Sequence, residues 1–387
     1  MTPRHRRRRP ADPLTAEATA GEAELRTALL KRIAKKRGAS LGDGEFDRLA
    51  RAIFAHQFRC NSPYRSFCER RGSSPASISH WTEIPAVPVD AFRAVPLVCG
   101  DPADAAVVFR TSGTTGGARR GEHHLPELGL YDAALAAGFA AQLLSDGARM
   151  TIVSLIPSPQ TQPDSSLSHM AGETVRRFGA PTSGFFVEGD GIEIDRLTGV
   201  LRRAEETGDV VCLLGTAFAF VHWLDALERS GERFRLPARS RLMETGGFKG
   251  RSRAVPRAEL YGDFAERLGV APEWCVNEYG MTEMSSQFYD AVAGDPAAAE
   301  LADRLHRGPP WVRTRAVDPE TLEPLPDGET GVLRHWDLAN LHTVAVIQTA
   351  DLGITFPGGF RLLGRAPAAE ARGCSIAMDE LLAALGM

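Results

Sequence analysis

The stretch Ala105-Ala106-Val107-Val108-Phe109-Arg110, followed directly by Thr111-Ser112-Gly113-Thr114-Thr115-Gly116-Gly117, decides the fold class. The first six residues are a short apolar run suited to a buried strand. All of the next seven are glycine or carry a hydroxyl. Glycines let the main chain turn sharply and approach a ligand closely. Successive backbone N–H groups in such a turn form a nest for an anion, and the hydroxyls add donors. Arg119 and Arg120 follow with guanidinium groups suited to phosphate oxygens. The pattern GxxxxGK[ST] is absent, so this is not a Walker-type loop. Thr111, Ser112, Gly113, Thr114, Thr115, Gly116, Arg119 and Arg120 are the candidate phosphate-binding residues, against the alternative of an ordinary surface turn.

Outward from this loop, short apolar runs alternate with helical patterns. Strands are predicted at 150–156, 210–214 and 240–245, with helices at about 128–145 and 218–229. Such alternation reads as an α/β sheet. Upstream, Leu25, Leu29 and Ile33 recur at four-residue spacing in a helix over 22–37. Two more helices are predicted at 44–59 and 64–71, and then a proline-punctuated extended stretch over 85–98. The Pro/Ser-rich run 157–166 reads as a mobile flap. Downstream, 331–336 and 344–349 suggest a β-rich closing region, and 378–385 a short amphipathic helix. The expected division is a disordered basic arm (1–22), a helical segment packed on the core (23–100), an α/β core (101–310) and a closing region with a C-terminal helix (311–387).

Composition narrows the function classes. The chain has 387 residues, 45 basic and 49 acidic side chains and a net charge of −4, with 43% hydrophobic residues. It has the means to bury a large core and is not a disordered chain. No run of ~18 apolar residues appears, nor the apolar stretch of a signal peptide, so the expectation is a cytoplasmic protein without a membrane partner. Six cysteines lie far apart with no CxxC pair, which argues against a disulfide framework and against a structural zinc site. Arg4 and Arg6 to Arg9 lack interleaved aromatics, so the arm carries charge without readout and no specific nucleic-acid partner is expected. Of four lysines, Lys249 alone lies beyond the first forty residues.

A second motif is Asn277-Glu278-Tyr279-Gly280-Met281-Thr282-Glu283. Glu283 is a candidate ligand for Mg²⁺, which favours few carboxylates plus phosphate oxygens. Thr282 is a candidate phosphate contact, and Tyr279 offers a flat face for a base. TSGTTG followed by YGMTE resembles the adenylate-forming superfamily of acyl-CoA synthetases, adenylation domains and luciferases. Thr349-Ala350-Asp351-Leu352-Gly353 resembles its TGDxG segment, and Leu363-Gly364-Arg365 its GR hinge. The narrower resemblance is to the acyl-protein synthetases (LuxE-like). It rests on 46–68, IPAVPVDAFR (84–93), SSLSHM (165–170), LLGTAFAF (213–220), METGGFKG (243–250) and RGCS (372–375).

The resemblance implies an α/β domain of the adenylate-forming N-terminal type, with mixed sheets, flanking helices and a small β-rich closing region. Only twenty-two residues follow Arg365, none a lysine, so the superfamily's mobile C-terminal domain and its lysine are not expected. Lys249 is the expected substitute, with a loop-capping role as the alternative. ATP and Mg²⁺ are the implied cofactors. Asn277, Tyr279, Gly280, Asp351 and Arg365 complete the implied ATP site, with Asp351 and Arg365 at the ribose. His169, Phe218, Phe220, Gly246, Gly247 and Phe248 are expected at the acyl group. The implied reaction joins a small-molecule carboxylic acid to ATP as an acyl-adenylate. The acyl group then passes to a thiol: Cys374, a carrier protein, CoA or a reductase partner. A stand-alone ligase serving an amine or CoA, and an inactive nucleotide-binding partner subunit, are the alternatives.

Overall fold

Pro13 opens the first helix, α1 (Pro13–Ile33), at a position that tolerates proline because first-turn N–H groups lack intrahelical partners. The structure, a computed structural model, describes residues 13–35, 41–112, 119–189, 191–246, 255–366 and 372–386. The Arg-rich run 4–9 lies outside them. Residues 13–22, expected in the disordered arm, are helical instead. Ala16, Ala18 and Ala20 supply propensity there, and Leu29 and Ile33 bury the far end of the helix.

α2 (Asp43–Cys60) buries Phe46, Leu49, Ile53 and Phe54, one stripe at helical spacing. α3 (Ser62–Arg70) starts where Asn61 Oδ1 accepts from Tyr64 N and Pro63 occupies the first turn. The extended stretch beyond contains a two-residue strand, β1 (Val87–Pro88), and a short helical turn, Ala91–Ala94. β2 (Val107–Arg110) and β3 (Glu122–Leu125) form an antiparallel hairpin. The glycine-rich loop joins its two strands.

The six-stranded sheet contains β4 (Thr151–Ser154), β5 (Gly184–Phe185), β6 (Val211–Thr216), β7 (Arg241–Thr245), β8 (Cys275–Tyr279) and β9 (Phe288–Tyr289). Its order is β9-β8-β7-β6-β4-β5, parallel except for the β8–β9 pair. Strand residues alternate between two cores. Cys212, Leu214, Met243 and Val276 face α4 (Gly129–Leu143) and α5 (Ser166–Phe178). Val211, Leu213, Leu242 and Cys275 face α6 (Ile194–Thr207), α7 (Ala217–Ser230) and α8 (Arg257–Leu268). A parallel sheet covered on both faces explains the unbroken apolar run Val211–Leu214.

The closing region is a five-stranded sheet of β10 (Val312–Val317), β11 (Thr330–Asp337), β12 (Val346–Phe356) and β13 (Gly359–Arg365), joined by β1. β12 pairs with β1 through Ile347 and Gln348 and with β13 from Asp351 onward. α9 (Arg372–Ala384) packs against α3, where Arg71 Nη2 meets Glu380 Oε2 at 2.6 Å.

Two readings need correction. The flap at 157–166 is stitched down: Arg110 N donates to Asp164 O (2.7 Å), and Thr161 N and Gln162 N to Ser158 O. Cys60 and Cys99, separated by 39 residues, are disulfide-bonded. Sequence spacing carries no trace of that pairing, because the fold brings the end of α2 beside the irregular stretch that leads to β2. Among the described residues, no helix is long and apolar enough to cross a membrane.

Candidate active site

The hairpin loop and the Asn277–Glu283 segment meet at the foot of the loop. Thr111 N donates to Gly121 O, and Gly121 N to Thr111 Oγ1, each at 2.9 Å, closing the loop's base. A Cβ built on Gly121 would stand 3.0 Å from Thr111 Cγ2 and 3.5 Å from Glu283 Oε1. Glycine at 121 therefore lets the Glu283 carboxylate come up beside Thr111. The backbone there is fixed from behind by His123, whose Nδ1 pairs with Thr282 O (2.7 Å) and whose Nε2 pairs with Thr343 Oγ1 (3.1 Å). Asn340 Nδ2 donates to Glu283 O (2.8 Å). His123 is fully buried, and burial lowers its pKa to about 4, so it braces as a neutral ring.

Glu283 itself is 5% exposed. Burial pushes its carboxyl up to about 7, against the pull of Arg93 and Arg365. A carboxylate desolvated in this way gains from a hard divalent cation, and a single carboxylate beside a nucleotide's phosphates is a donor set that suits Mg²⁺.

On the other side of the segment, Tyr279 OH donates to Asp351 Oδ2 at 2.8 Å. Asp351 and Arg365 are register partners across β12 and β13, with Arg365 Nε 3.6 Å from Asp351 Oδ1. Arg365 remains two-thirds exposed while Asp351 is largely covered. The Tyr279 ring is packed among Phe288, His306, His335 and Phe360. Its hydroxyl end reaches Asp351, while the ring meets its four neighbours in tilted and edge-on contacts.

Three other candidates have partners within the protein. Asn277 Oδ1 is met by His306 Nε2 (2.7 Å) and Arg257 Nη2 (3.2 Å), and its Nδ2 donates to Glu244 Oε1 (2.6 Å). Both ends of its amide are engaged within the protein, so Asn277 braces the sheet. Arg120 donates to Thr111 O, Arg110 O and Asp164 Oδ2. It ties the loop's base to the 157–166 segment, while Arg119 stays exposed and donates to Ala94 O. Phe220 is fully buried, stacked edge-on with Phe264 beneath Gly215, and belongs to the core between α7, α8 and the sheet.

Among the other candidates, His169 Nε2 pairs with Asp132 Oδ1 at 2.7 Å, and its ring lies against Phe109 and Tyr131. Phe218 is half-buried beside His222. Gly246 follows β7 with a φ of +69°, and Gly280 follows β8. Both stand at the carboxyl ends of parallel strands, where open α/β sheets bind ligands. Ser112 is exposed at the start of the loop and Thr282 is half-buried beside Glu283. Gly113, Thr114, Thr115, Gly116, Gly247, Phe248 and Lys249 lie outside the described residues, as does the Cys374 side chain.

The acyl-protein synthetase, LuxE, family matches residues 45–383. The chain belongs to that family. A relative described as "Long-chain-fatty-acid--luciferin-component ligase" from Vibrio harveyi is 24% identical over 87% of this chain and 88% of its own length. Among solved structures, 2-hydroxyisobutyryl-CoA ligase in the postadenylation state, with 2-HIB-AMP bound, matches at a TM-score of 0.60. That match is 16% identical and covers 86% of this chain and 72% of the ligase, a likeness of fold. ATP-bound MatB from Rhodopseudomonas palustris matches at a TM-score of 0.47, and the chain spans about half (49%) of that protein's length.

As an acyl-protein synthetase the chain is a ligase, and two acids in its site carried no role in the sequence reading. Glu278 is 4% exposed, accepts from Thr245 Oγ1 and is pushed by burial up to about 7. A Cβ on Gly280 would fall 2.5 Å from Glu278 Oε1, so glycine there makes room for the carboxylate. Glu244, pushed by burial to about 7 against the pull of Arg257, holds Asn277 and Tyr261 OH in the synthetase's sheet. Both acids sit inside motifs quoted from the sequence, but their burial is a property of the sheet.

Proposed function

We propose that this synthetase activates a carboxylic acid with ATP and Mg²⁺ as an acyl-adenylate, then transfers the acyl group to a thiol. The observation that carries the reading is the placement of Glu283 against Gly121 and Thr111 at the loop's foot, with the Tyr279–Asp351–Arg365 group on the same segment's other side. The acid's oxygen attacks the α-phosphorus, the bond to pyrophosphate breaks, and pyrophosphate leaves. Two anions approach one another in that step, so the site's main task is charge neutralisation and alignment.

Glu283 and phosphate oxygens would hold Mg²⁺, which when bound spreads the triphosphate's charge. Asp351, oriented by Tyr279 OH and Arg365, accepts hydrogen bonds from the ribose hydroxyls. Thr282 stands beside Glu283 with its carbonyl fixed by His123 and places its hydroxyl toward the phosphates. Thr111, Ser112 and the glycine-rich loop supply donors to the same phosphates, with Arg119 at the rim. Lys249 brings an ammonium to the α-phosphate. His169 and Phe218 belong to the acyl side. The thiol that takes the acyl group is Cys374, whose backbone lies in the first turn of α9. A long-chain fatty acid, named in the description of the Vibrio harveyi relative, is the first acid to try.

ATP–pyrophosphate exchange across a panel of fatty, hydroxy and aromatic acids tests the activation step. Exchange with at least one acid is expected, and its loss in Lys249→Ala with the fold intact. No exchange with any acid would leave a nucleotide-binding subunit and reject the reading. Mass spectrometry after incubation with ATP and acid then looks for an acyl adduct at Cys374. Exchange without that adduct assigns the acyl group to CoA, a carrier protein or an amine.

A further inference from the structure

Away from the nucleotide site, the fold gathers His56, Cys60 and Cys99, whose ligand atoms lie within 4.8 Å of one another. Cys60 Sγ is 3.4 Å from His56 Nε2, and Glu22 Oε2 lies 3.9 Å from the same nitrogen. His56 is 1% exposed, and its Nδ1 has no hydrogen-bond partner. The other ring nitrogen, Nε2, meets only the Cys60 sulfur and the distant Glu22 carboxylate among the described residues, weak partners for a buried imidazole, since buried polar groups are normally satisfied. Glu22 is itself held from behind, its Oε1 3.3 Å from His342 Nδ1. Outer-shell contacts of that kind orient a ligating carboxylate.

We propose that Cys60, Cys99, His56 and Glu22 form a structural Zn²⁺ site in the reduced chain, of which the Cys60–Cys99 disulfide is the metal-free oxidised form. Two thiolates and one imidazole are three of the four ligands zinc takes in tetrahedral sites, and Glu22, which stands outside the 4.8 Å group, supplies the fourth by turning its carboxylate toward the sulfurs. A dithiol reductant closes to its own disulfide and delivers two electrons and two protons, converting the Cys60–Cys99 bond to two thiols. Zn²⁺ then displaces the two thiol protons to solvent, forming two Zn–S bonds, one bond to His56 Nε2 and one to a Glu22 oxygen. The signal was invisible in the sequence because the ligands come from α1, from the last two turns of α2 and from the stretch before β2.

The site closes the strut behind the Thr282 segment. Gly100 N donates to Cys60 O (3.2 Å) and Cys99 N to His342 O (2.8 Å). Asn61 Nδ2 donates to Thr343 O (3.1 Å), and Thr343 Oγ1 pairs with His123, which holds Thr282 O. A metal here would fix the N-terminal helices to the 340–343 turn without touching substrate.

The test uses the full chain, reduced with a dithiol and desalted without oxygen, then titrated with Co²⁺ as a spectroscopic stand-in for zinc. The expected result is one Co²⁺ per chain, with thiolate-to-cobalt charge-transfer absorption and tetrahedral d–d bands that Zn²⁺ abolishes. Cys60→Ser and Cys99→Ser should each cut the charge-transfer band by half or more, and the unreduced chain should never show it. His56→Gln and Glu22→Gln leave both sulfurs in place and should weaken Co²⁺ binding about tenfold or more, so the proposal stays testable if a cysteine variant fails to fold. Absence of the band in the reduced wild-type chain, or its full survival in the cysteine variants or in His56→Gln, would overturn the assignment.

Discussion

Replacing Glu283 by glutamine removes one charge while keeping shape, and the structure sets the size of the effect. Burial raises this carboxyl from 4.5 to about 7, a difference of about 2.5 units, or roughly 3 kcal/mol at 1.36 kcal/mol per unit. The folded chain holds this proton more tightly than the unfolded chain. Protons are therefore released on unfolding between pH 4.5 and 7, and stability falls as pH rises through that window and is level above it. The cost works out to about 1 kcal/mol at pH 5.5 and about 3 kcal/mol at pH 8. Glutamine has no such proton, so Glu283→Gln should gain roughly 2 kcal/mol on the wild-type chain between those two pH values. Urea unfolding followed by tryptophan fluorescence, without nucleotide or divalent cation, reads this double difference and cancels the contribution of other buried acids. The same variant should lose pyrophosphate exchange by a factor of about a hundred or more. A variant no more stable than wild type at pH 8 would refute the claim that Glu283 carries a desolvated charge in wait for a cation.

Other consequences are open to simpler measurements. Tyr279→Phe removes the hydroxyl's bond to Asp351 and keeps the ring packing, so the fold should lose roughly 1.5–3 kcal/mol, the size of a charged hydrogen bond, and KM for ATP should rise as Asp351 loses its orientation; urea unfolding and initial rates over an ATP titration decide. His123→Ala leaves Thr282 O and Thr343 Oγ1 unpaired, and chemical denaturation should register a loss of about 2–4 kcal/mol together with weaker exchange activity. Arg120→Ala drops the bonds to Thr111 O and Arg110 O as well as the one to Asp164, so it should raise ATP KM more than Asp164→Ala, and the double variant should be no worse than Arg120→Ala, in a double-mutant cycle. His342 is raised to about 9, burial being outweighed by Glu127 and Glu22. Its stabilisation is present below pH 6.5 and is lost as pH rises through 9, so His342→Gln should flatten the alkaline limb of a stability–pH curve.

The sheet's order of elements was legible wherever one segment carried a full periodic signal. Val211–Leu214 reads as a buried strand because every residue is apolar, and the structure pairs it on both sides. α6 was missed although Leu197, Leu201 and Ala204 mark its buried stripe, because charged residues dominate the rest of the segment. In the site, the sequence located the two meeting segments and the Asp351–Arg365 pair, since glycine, threonine and carboxylate patterns are local. It did not show the internal partners of Asn277, Arg120 and Phe220, which lie 20 to 44 residues away: Arg257 and His306, Asp164, and Phe264. Hydrogen-bond saturation is a property of the fold, and side chains of suitable chemistry turned inward as braces. The Cys60–Cys99 contact was illegible for the same reason.

The pairing of Val87 with Ile347 bears on how the protein is made. A strand near the amino end finds its sheet partner 260 residues later, so it emerges from the ribosome long before that partner exists. At about 5–20 residues per second the wait is roughly 13–50 s. During translation the nascent amino-terminal helices must therefore stand without their finished seat, and the last step of assembly belongs to the completed chain.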